Sequence, residues 1–192
     1  MADFRKLIPF ILKWAAGVVQ RNGETVEALF ERAKKNGWSD HPLDKGGATM
    51  CDVTLTTYID YCRRKGLPMP DKESLRNIPL LHWIDILKSA YWNMWKADLI
   101  YNQSLADILV DWIWSSGGAS IKAAQRVIGV NPDGIVGHGT VAAVNSQDYS
   151  ILFSKLHDAR VEYVQEIVRR NPSQKIWLNG WLNRINDIHY KL

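Results

Sequence analysis

The sequence has few of the residues that disulfide-rich proteins and metalloproteins depend on. Its 192 residues include only two cysteines, Cys51 and Cys62, and these do not form a metal-ligand spacing. If residues 54–64 are helical, the two thiols lie too far apart for a disulfide bond, so reduced cysteines are expected. The sequence therefore predicts no disulfide framework, no metal site and no cofactor.

Long hydrophobic runs are also missing. No stretch approaches the length of about 20 apolar residues that a membrane-spanning helix needs. The apolar run at residues 7–12 is too short for a signal peptide, and no clear cleavage site follows it. We therefore expect no membrane insertion and a protein that is cytoplasmic as synthesised.

Charge is not concentrated in one region, and the formal net charge is only +4. Short basic pairs, such as Lys34-Lys35 and Arg169-Arg170, stand at expected helix ends, where cations complement the helix dipole. A nucleic-acid site would favour a continuous basic stripe or a basic recognition helix, and neither stands out. The sequence predicts no nucleic-acid partner, whereas the mild positive charge suits an anionic polymer.

Tryptophan, by contrast, is abundant, with nine residues in the chain. This excess favours a large aromatic core or, less often, a surface that stacks on flat ligands. Apolar residues at spacings of three and four predict helices, among them residues 3–16, 24–35, 80–98 and 150–170. No segment predicts a long strand, and at most a short hairpin is expected near residues 44–54. The predicted fold class is mainly α.

The densest group of functional-looking residues is the run Asp44-Lys45-Gly46-Gly47-Ala48-Thr49. Paired glycines allow the backbone to fold tightly under a ligand. Composition alone is explained equally well by an ordinary turn-rich loop. This run resembles the Asp-x-Gly-Gly-x-Thr loop of glycoside hydrolase family 108, the phage-type N-acetylmuramidases once called secretion activator proteins.

Three later motifs carry the same resemblance over nearly the full length. The run from Tyr91 to Trp95 is similar to the family's Tyr-Trp-x-x-Trp signature. Residues 111–117 resemble its Asp-Trp-x-Trp-Asn-Ser-Gly motif, with Ser115 in place of asparagine. Residues 125–140 resemble a peptidoglycan-binding repeat, although a helix, a glycine-demanding turn and a second helix would explain that pattern without any ligand.

The resemblance implies a lysozyme-like helical fold in two regions packed as one compact unit. Residues 1–118 would form the catalytic-type region, and residues 119–192 a peptidoglycan-binding-like helical region. The implied partner is the glycan strand of peptidoglycan. Because no signal peptide is expected, access to the wall would require lysis or a release helper such as a holin-like protein.

The family's catalytic glutamate is missing from the matching position. In the family, the loop follows a helix that ends in Glu-Gly-Gly. The matching end here is Trp14-Ala15-Ala16-Gly17, which places Ala15 at the acid position and makes residues 18–36 an insertion. A second register, without a gap, places Lys35 there. The nearest carboxylate, Glu31, lies one turn earlier on the same face as Lys35 and is kept as a displaced acid, although a solvated helix face explains it more simply.

Other roles follow from matching positions. Asp44 and Thr49 would place the water or stabilise the charge that develops on the sugar. The implied substrate contacts are Trp14, Gly46, Gly47, Tyr91, Trp92, Trp95, Asp111 and Ser115. For the aromatic residues at 91–95, burial in the core is the first interpretation, and Asp111 is first expected to be a paired structural carboxylate.

The function expected from the resemblance is an N-acetylmuramidase scaffold whose acid is replaced by Ala15. Loss of a general acid costs about two to four orders of magnitude in rate. Three explanations stay open: an alanine introduced to inactivate the enzyme, a natural relative that only binds peptidoglycan, or an acid supplied from elsewhere. Glu31 is the first candidate for that last role. Asp52, which stands where the family usually has glycine, is the second.

Overall fold

The structure, a computed structural model, describes residues 1–42 and 46–191. Asp44 lies outside these ranges, so its predicted role stays a prediction. Ten α-helices and three two-residue strands make up the regular structure of the described residues, and the prediction of a mainly helical fold is confirmed. The chain forms two compact units, one from Arg5 to Ala90 and the other combining Met1–Phe4 with the chain from Tyr91 onward.

The unit Arg5–Ala90 combines five helices with a small sheet. Its helices are α1 (Ile8–Ala16), α2 (Val26–Lys34), α3 (Leu55–Lys65), α4 (Lys72–Arg76) and α5 (Leu80–Ile86), and its strands are β1 (Trp38–Ser39), β2 (Thr49–Met50) and β3 (Val53–Thr54). The strands pair antiparallel in the order β1-β2-β3. The predicted short hairpin is present as β2 and β3, and β1 is an additional strand that the sequence did not indicate.

Local sequence signals explain where the first helices begin and end. The predicted helix at residues 3–16 becomes a 3₁₀ turn, Phe4–Lys6, followed by α1, because Pro9 is tolerated only in the first turn of a helix. Gly17 ends α1 in the left-handed conformation (φ +67°). Thr25 begins α2 by accepting a hydrogen bond from the Ala28 N–H at 3.3 Å.

The β2–β3 turn is anchored to the core of its unit at two points. The Cys51 N–H donates to the Gly37 carbonyl at 2.9 Å, and the buried indole of Trp83 donates to the Cys51 carbonyl, also at 2.9 Å. Trp83 packs on Phe30 of α2 with ring centroids 5.6 Å apart. These bonds hold Cys51 and Asp52 at positive φ (47° and 65°), where most residues other than glycine are strained.

The second unit is built from longer helices that pack on one another. They are α6 (Gln103–Ser116), α7 (Ala119–Ile128), α8 (His138–Asn145), α9 (Tyr149–Arg170) and α10 (Lys175–Asp187). Helix α6 packs against α7 and α9, and α10 packs along α9. The catalytic-type region predicted from the sequence ends at residue 118 and so includes α6. In the structure, this helix belongs to the same compact unit as α7 to α10.

The prediction of a single helix at residues 80–98 is wrong. Helix α5 ends at Ile86, a π-helix covers Leu87–Trp92, and a 3₁₀ turn covers Ala97–Leu99. Lys96 adopts the left-handed conformation (φ 48°), which a right-handed helix cannot include. The Trp92 indole N–H donates to an Asp98 oxygen at 2.7 Å across this bend. Within residues 1–42 and 46–191, no helix combines the length and apolarity that crossing a membrane requires.

We predict that Gly37→Ala destabilises the protein, because a Cβ at this position would stand 2.5 Å from the Cys51 Sγ and 3.0 Å from the Ala33 carbonyl oxygen. Overpacking of this kind lowers the free energy of unfolding by about 1–3 kcal/mol. The control is Gly139→Ala in α8, whose Cβ would meet no atom within 4 Å. Urea unfolding would measure both variants, and equal midpoints for Gly37→Ala and the parent would contradict the prediction.

Candidate functional site

The carboxyl-terminal end of α1 includes Ala15, the position at which the family resemblance predicts a catalytic acid. Ala15 and Trp14 are both half-buried there. The Lys13 ammonium lies 5.6 Å from the centroid of the Trp14 ring. The methyl group of Ala15 can neither donate nor accept a proton, so α1 offers no acid at this point.

The segment between α1 and α2 is held by one carboxylate. Glu24 receives the Arg32 guanidinium through its two oxygens, with both N···O distances at 2.7 Å, and it also accepts the Arg21 N–H at 2.9 Å. Arg32 donates as well to the Val19 carbonyl at 2.8 Å. These bonds, Arg32 first, lower the pKa of Glu24 below its ordinary value of 4.5. The first part of the predicted insertion is therefore an ordered loop fastened to α2, and α2 forms most of the rest.

The described part of the glycine loop leads directly into the sheet. Gly46 is exposed, and Gly47 adopts φ +67°, a conformation that suits glycine. Thr49, in β2, is half-buried and its hydroxyl lies 3.5 Å from the Ser39 carbonyl of β1. The Ala48 carbonyl accepts the Leu55 N–H at 2.8 Å, which joins the loop to the start of α3. The loop thus presents Thr49 at the edge of the β1–β2 pair.

The alternative acids differ in their surroundings. Glu31 is 68% exposed and lies 3.7 Å from the Lys34 ammonium, and Lys35 is exposed just beyond the end of α2. Asp52 is half-buried in the β2–β3 turn. The neighbouring Cys51 is fully buried, and burial, assisted by the charge of Asp52, raises the pKa of its thiol to about 12. Cys51 is therefore not a nucleophile at neutral pH, and both cysteines are free, as predicted.

Two of the four predicted aromatic contacts are core residues. Trp92 and Trp95 are buried, at 0% and 1% exposure, so the first interpretation of these residues, as core, agrees with their positions. Tyr91 is half-buried and meets Trp114 edge-on, with ring centroids 4.7 Å apart. Ser115, next to Trp114, is exposed. Of the predicted contacts in this unit, Tyr91 and Ser115 are therefore the ones whose side chains are not buried.

Asp111 is fully buried and paired with two arginines. Its Oδ2 accepts from Arg160 Nη2 at 2.8 Å, and its Oδ1 accepts from Arg184 Nη2 at 2.7 Å and Nε at 3.2 Å. Burial raises the pKa of Asp111, but Arg184 and Arg160 outweigh this effect and keep the pKa below its ordinary value of 3.8. The expectation of a paired structural carboxylate thus fits this geometry.

Residues of the repeat-like motif at residues 125–140 form hydrogen bonds with one another. The buried Gln125 amide donates to Asp133 Oδ1 at 2.9 Å and to the Ile135 carbonyl at 3.0 Å, and it accepts the Gly134 N–H at 2.8 Å. Gly134 adopts φ +85°, which explains the glycine. These four residues stabilise a turn and do not by themselves form a ligand site.

No group of three histidine, cysteine, aspartate or glutamate side chains within residues 1–42 and 46–191 is arranged to hold a metal ion.

Two protein families match separate parts of this chain. The glycosyl hydrolase 108 family matches residues 31–117, and a family described as Predicted Peptidoglycan domain matches residues 119–186. The chain carries a glycosyl hydrolase 108 domain. The family resemblance seen in the sequence is thus confirmed, together with the C-terminal peptidoglycan-type region.

A solved structure shows the same architecture. The structure of Brucella abortus SagA is similar to this chain with a TM-score of 0.73 and 25% sequence identity, covering 96% of this chain and 90% of that one. The mainly helical, lysozyme-like fold predicted from the sequence agrees with this likeness. No curated protein matches the chain.

The family match includes only one of the two candidate positions for the missing acid. The glycosyl hydrolase 108 match begins at Glu31, so it includes Lys35, Thr49 and Asp111 but not Trp14 or Ala15. The assignment of Ala15 to the acid position therefore stays a prediction, and so does the gapless register that places Lys35 there.

Sequence reasoning missed the partners of two predicted site residues. Arg160 and Arg184 pair with Asp111, and Trp114 contacts Tyr91. One signal for Arg160 was present, because it lies four residues from both Leu156 and Val164 on the apolar face of α9. A cation in an apolar stripe requires a buried counter-charge, and Asp111 is a carboxylate in the mainly apolar helix α6.

The pairing of Glu24 predicts a pH effect on stability. Because the folded-state pKa is lowered, the stabilisation is present above the ordinary value of 4.5 and is lost as the pH falls through the lowered pKa. Glu24→Gln should therefore lose less stability than the parent when the pH is lowered from 6 to about 3. Glu27→Gln, on the exposed face of α2, should keep the parent's pH dependence. Parallel curves for Glu24→Gln and the parent in urea unfolding would refute the prediction.

We predict that Asp111→Asn lowers the free energy of unfolding by about 3–5 kcal/mol, because it leaves two buried arginines without their counter-charge. The control is Asp158→Asn on α9, whose side chain is 84% exposed and which should change stability by less than about 0.5 kcal/mol. Chemical denaturation would measure both. A loss of unfolding free energy in Asp111→Asn as small as that of the control would contradict the predicted cost of breaking the ion pair.

Proposed function

We propose that this chain is a muramidase-type glycosidase scaffold that binds the glycan strands of peptidoglycan but lacks the proton donor needed for efficient turnover. The glycosyl hydrolase 108 domain and the adjoining peptidoglycan-type domain support peptidoglycan as the substrate class. The observation that carries the proposal is the absence of an acid at the end of α1, where Ala15 presents a methyl group.

The proposal does not depend on which register is correct. One register places Ala15 at the acid position, and the gapless register places Lys35 there. Hydrolysis of a glycosidic bond requires a group that protonates the leaving oxygen. Alanine has no such group, and a lysine ammonium has an ordinary pKa near 10, far from the operating range of a general acid at neutral pH.

The displaced candidates are less well placed. Glu31 lies in solvent beside Lys34, whereas a general acid acts in a protected pocket against the substrate. Asp52 is half-buried, but the turn that carries it is fixed by the Cys51 hydrogen bonds to Gly37 and Trp83. Either carboxylate would have to reach the leaving oxygen without help from α1.

The second candidate function is a binding protein with no turnover at all. The same missing acid favours it, because the loss of a general acid leaves substrate contacts intact. Here the exposed loop at Gly46 and the hydroxyl of Thr49 would bind glycan without cleaving it. Binding and cleavage can therefore be tested separately.

We predict that purified peptidoglycan is cleared faster by Ala15→Glu than by the parent, by about two to four orders of magnitude, because the change restores a general acid. Turbidity of a wall suspension would measure clearing, and sedimentation with the wall would measure binding. Lys35→Glu is the matched variant, since it restores a carboxylate in the gapless register. Glu31→Gln and Asp52→Asn remove the displaced candidates.

Each outcome separates the alternatives. Clearing by Ala15→Glu alone would place the acid at the end of α1, and clearing by Lys35→Glu alone would place it after α2. Clearing by the parent that is lost in Glu31→Gln or Asp52→Asn would overturn the proposal, because the chain would then have its own acid. No clearing by any variant, with the protein still sedimenting on the wall, would favour the binding protein.

A further inference from the structure

The buried carboxylate of Asp111 joins parts of the chain that the family matches assign to different domains. Asp111 lies within the glycosyl hydrolase 108 match at 31–117, whereas Arg160 and Arg184 lie within the Predicted Peptidoglycan domain match at 119–186. We infer that the two arginines are positioning residues for the carboxyl-terminal half of α6. The C-terminal helices are thus a part of the hydrolase scaffold and not a separable wall-binding module.

The ion pairs connect the two matched segments through a fully buried contact. Asp111 is 0% exposed and the Arg160 side chain is 2% exposed, so water cannot replace a missing partner. Arg184 binds one carboxylate oxygen with two nitrogens, and Arg160 binds the other oxygen. A chain that ended at residue 117 would lose both arginines together with α7 and α9, which cover α6, and a chain that began at residue 119 would lose the carboxylate between the two cations.

Arg160 fixes the rotation of α6 about its own axis. Besides Asp111, its Nη1 lies 3.4 Å from the Ile108 carbonyl and its Nη2 lies 3.5 Å from the Ser115 hydroxyl. These three acceptors span two turns on one face of the helix. The guanidinium therefore sets the direction in which the exposed Ser115 and the neighbouring Trp114 face.

Other contacts hold α6 along its whole length. Tyr163 of α9 meets Trp112 edge-on, with ring centroids 5.8 Å apart. At the opposite end, the Lys191 N–H donates to the Ser104 hydroxyl at 2.9 Å, so the end of the described chain returns to the first turn of α6. The start, middle and end of this helix are each contacted by residues that follow residue 118.

A scaffold role for the C-terminal helices also agrees with their repeat-like motif. Gln125, Asp133 and Gly134 are engaged with one another in a turn. The part of the motif that resembles a wall-binding repeat is thus used to build the domain, as Arg160 and Arg184 are used to hold α6.

The test uses the full chain and four variants: Arg160→Met, Arg160→Lys, Arg184→Lys and, as control, Arg169→Met. Arg169 lies on the same helix as Arg160 but pairs with Glu162 and Glu166 at the surface. Amide hydrogen exchange of residues 112–116 should be about 10-fold faster in Arg160→Met than in the parent, with a smaller increase in Arg184→Lys. Arg169→Met should match the parent, and so should exchange in α3, which belongs to the other compact unit.

A second readout separates positioning from general stability, and this part rests on the proposed function. At a temperature where all variants are folded by circular dichroism, Arg160→Met should bind sedimented peptidoglycan about 10-fold more weakly than the parent. Arg160→Lys, which keeps a donor near Asp111, should recover most of that affinity.

The outcomes that would overturn the inference are distinct from those that test the function. Exchange in residues 112–116 within about twofold of the parent in both Arg160→Met and Arg184→Lys would overturn the coupling of the two domains. Faster exchange with unchanged wall affinity would overturn the positioning role. A parent that does not bind peptidoglycan would overturn the proposed function, while the exchange measurement would still decide the coupling. If Arg160→Met does not fold, Arg184→Lys decides the same question.

Discussion

The carboxylate of Asp111 is the constraint on which the unit beginning at Tyr91 depends. Three helices meet at it, because α6 supplies the acid while α9 and α10 each supply an arginine. A buried ion pair of this kind adds little net stability compared with a well-packed apolar cluster, but it is costly to break. Its value lies in specificity, since only one register of α6 against α9 and α10 brings both guanidinium groups to the two oxygens.

In the unit Arg5–Ala90, the corresponding constraint is backbone geometry. Cys51 and Asp52 are held at positive φ, and the hydrogen bonds that hold them come from Gly37 and Trp83. Strained residues persist only where the surrounding structure fixes them, and such residues cluster at functional sites. The turn lies directly after Thr49 and the glycine loop, so the strain is stored beside the segment that carries the family's most specific motif.

Structural features that depend on neighbouring residues could be predicted from the sequence. Features that depend on residues far away along the chain could not. Helix periodicity acts within a few residues, and the mainly helical fold followed from this signal. The break of the helix predicted at residues 80–98 could not be foreseen, because the residue in the left-handed conformation is Lys96 and not a glycine or asparagine. The partners of Asp111 were missed because they lie 49 and 73 residues away along the chain.

The same distinction explains how the chain can keep the family's motifs and yet, under the proposed function, lack its catalytic acid. The resemblance to glycoside hydrolase family 108 rests on residues that shape the scaffold, including the buried Trp92, Trp95 and Asp111. Under the proposed function, catalysis depends on one proton donor, and the register that places Ala15 at the acid position removes that donor while these buried residues are kept. A fold can therefore be retained in full while its chemistry is lost at one side chain. For this chain, the scaffold is the part that the structure explains, and the activity depends on whether any carboxylate can stand in for the acid that α1 does not provide.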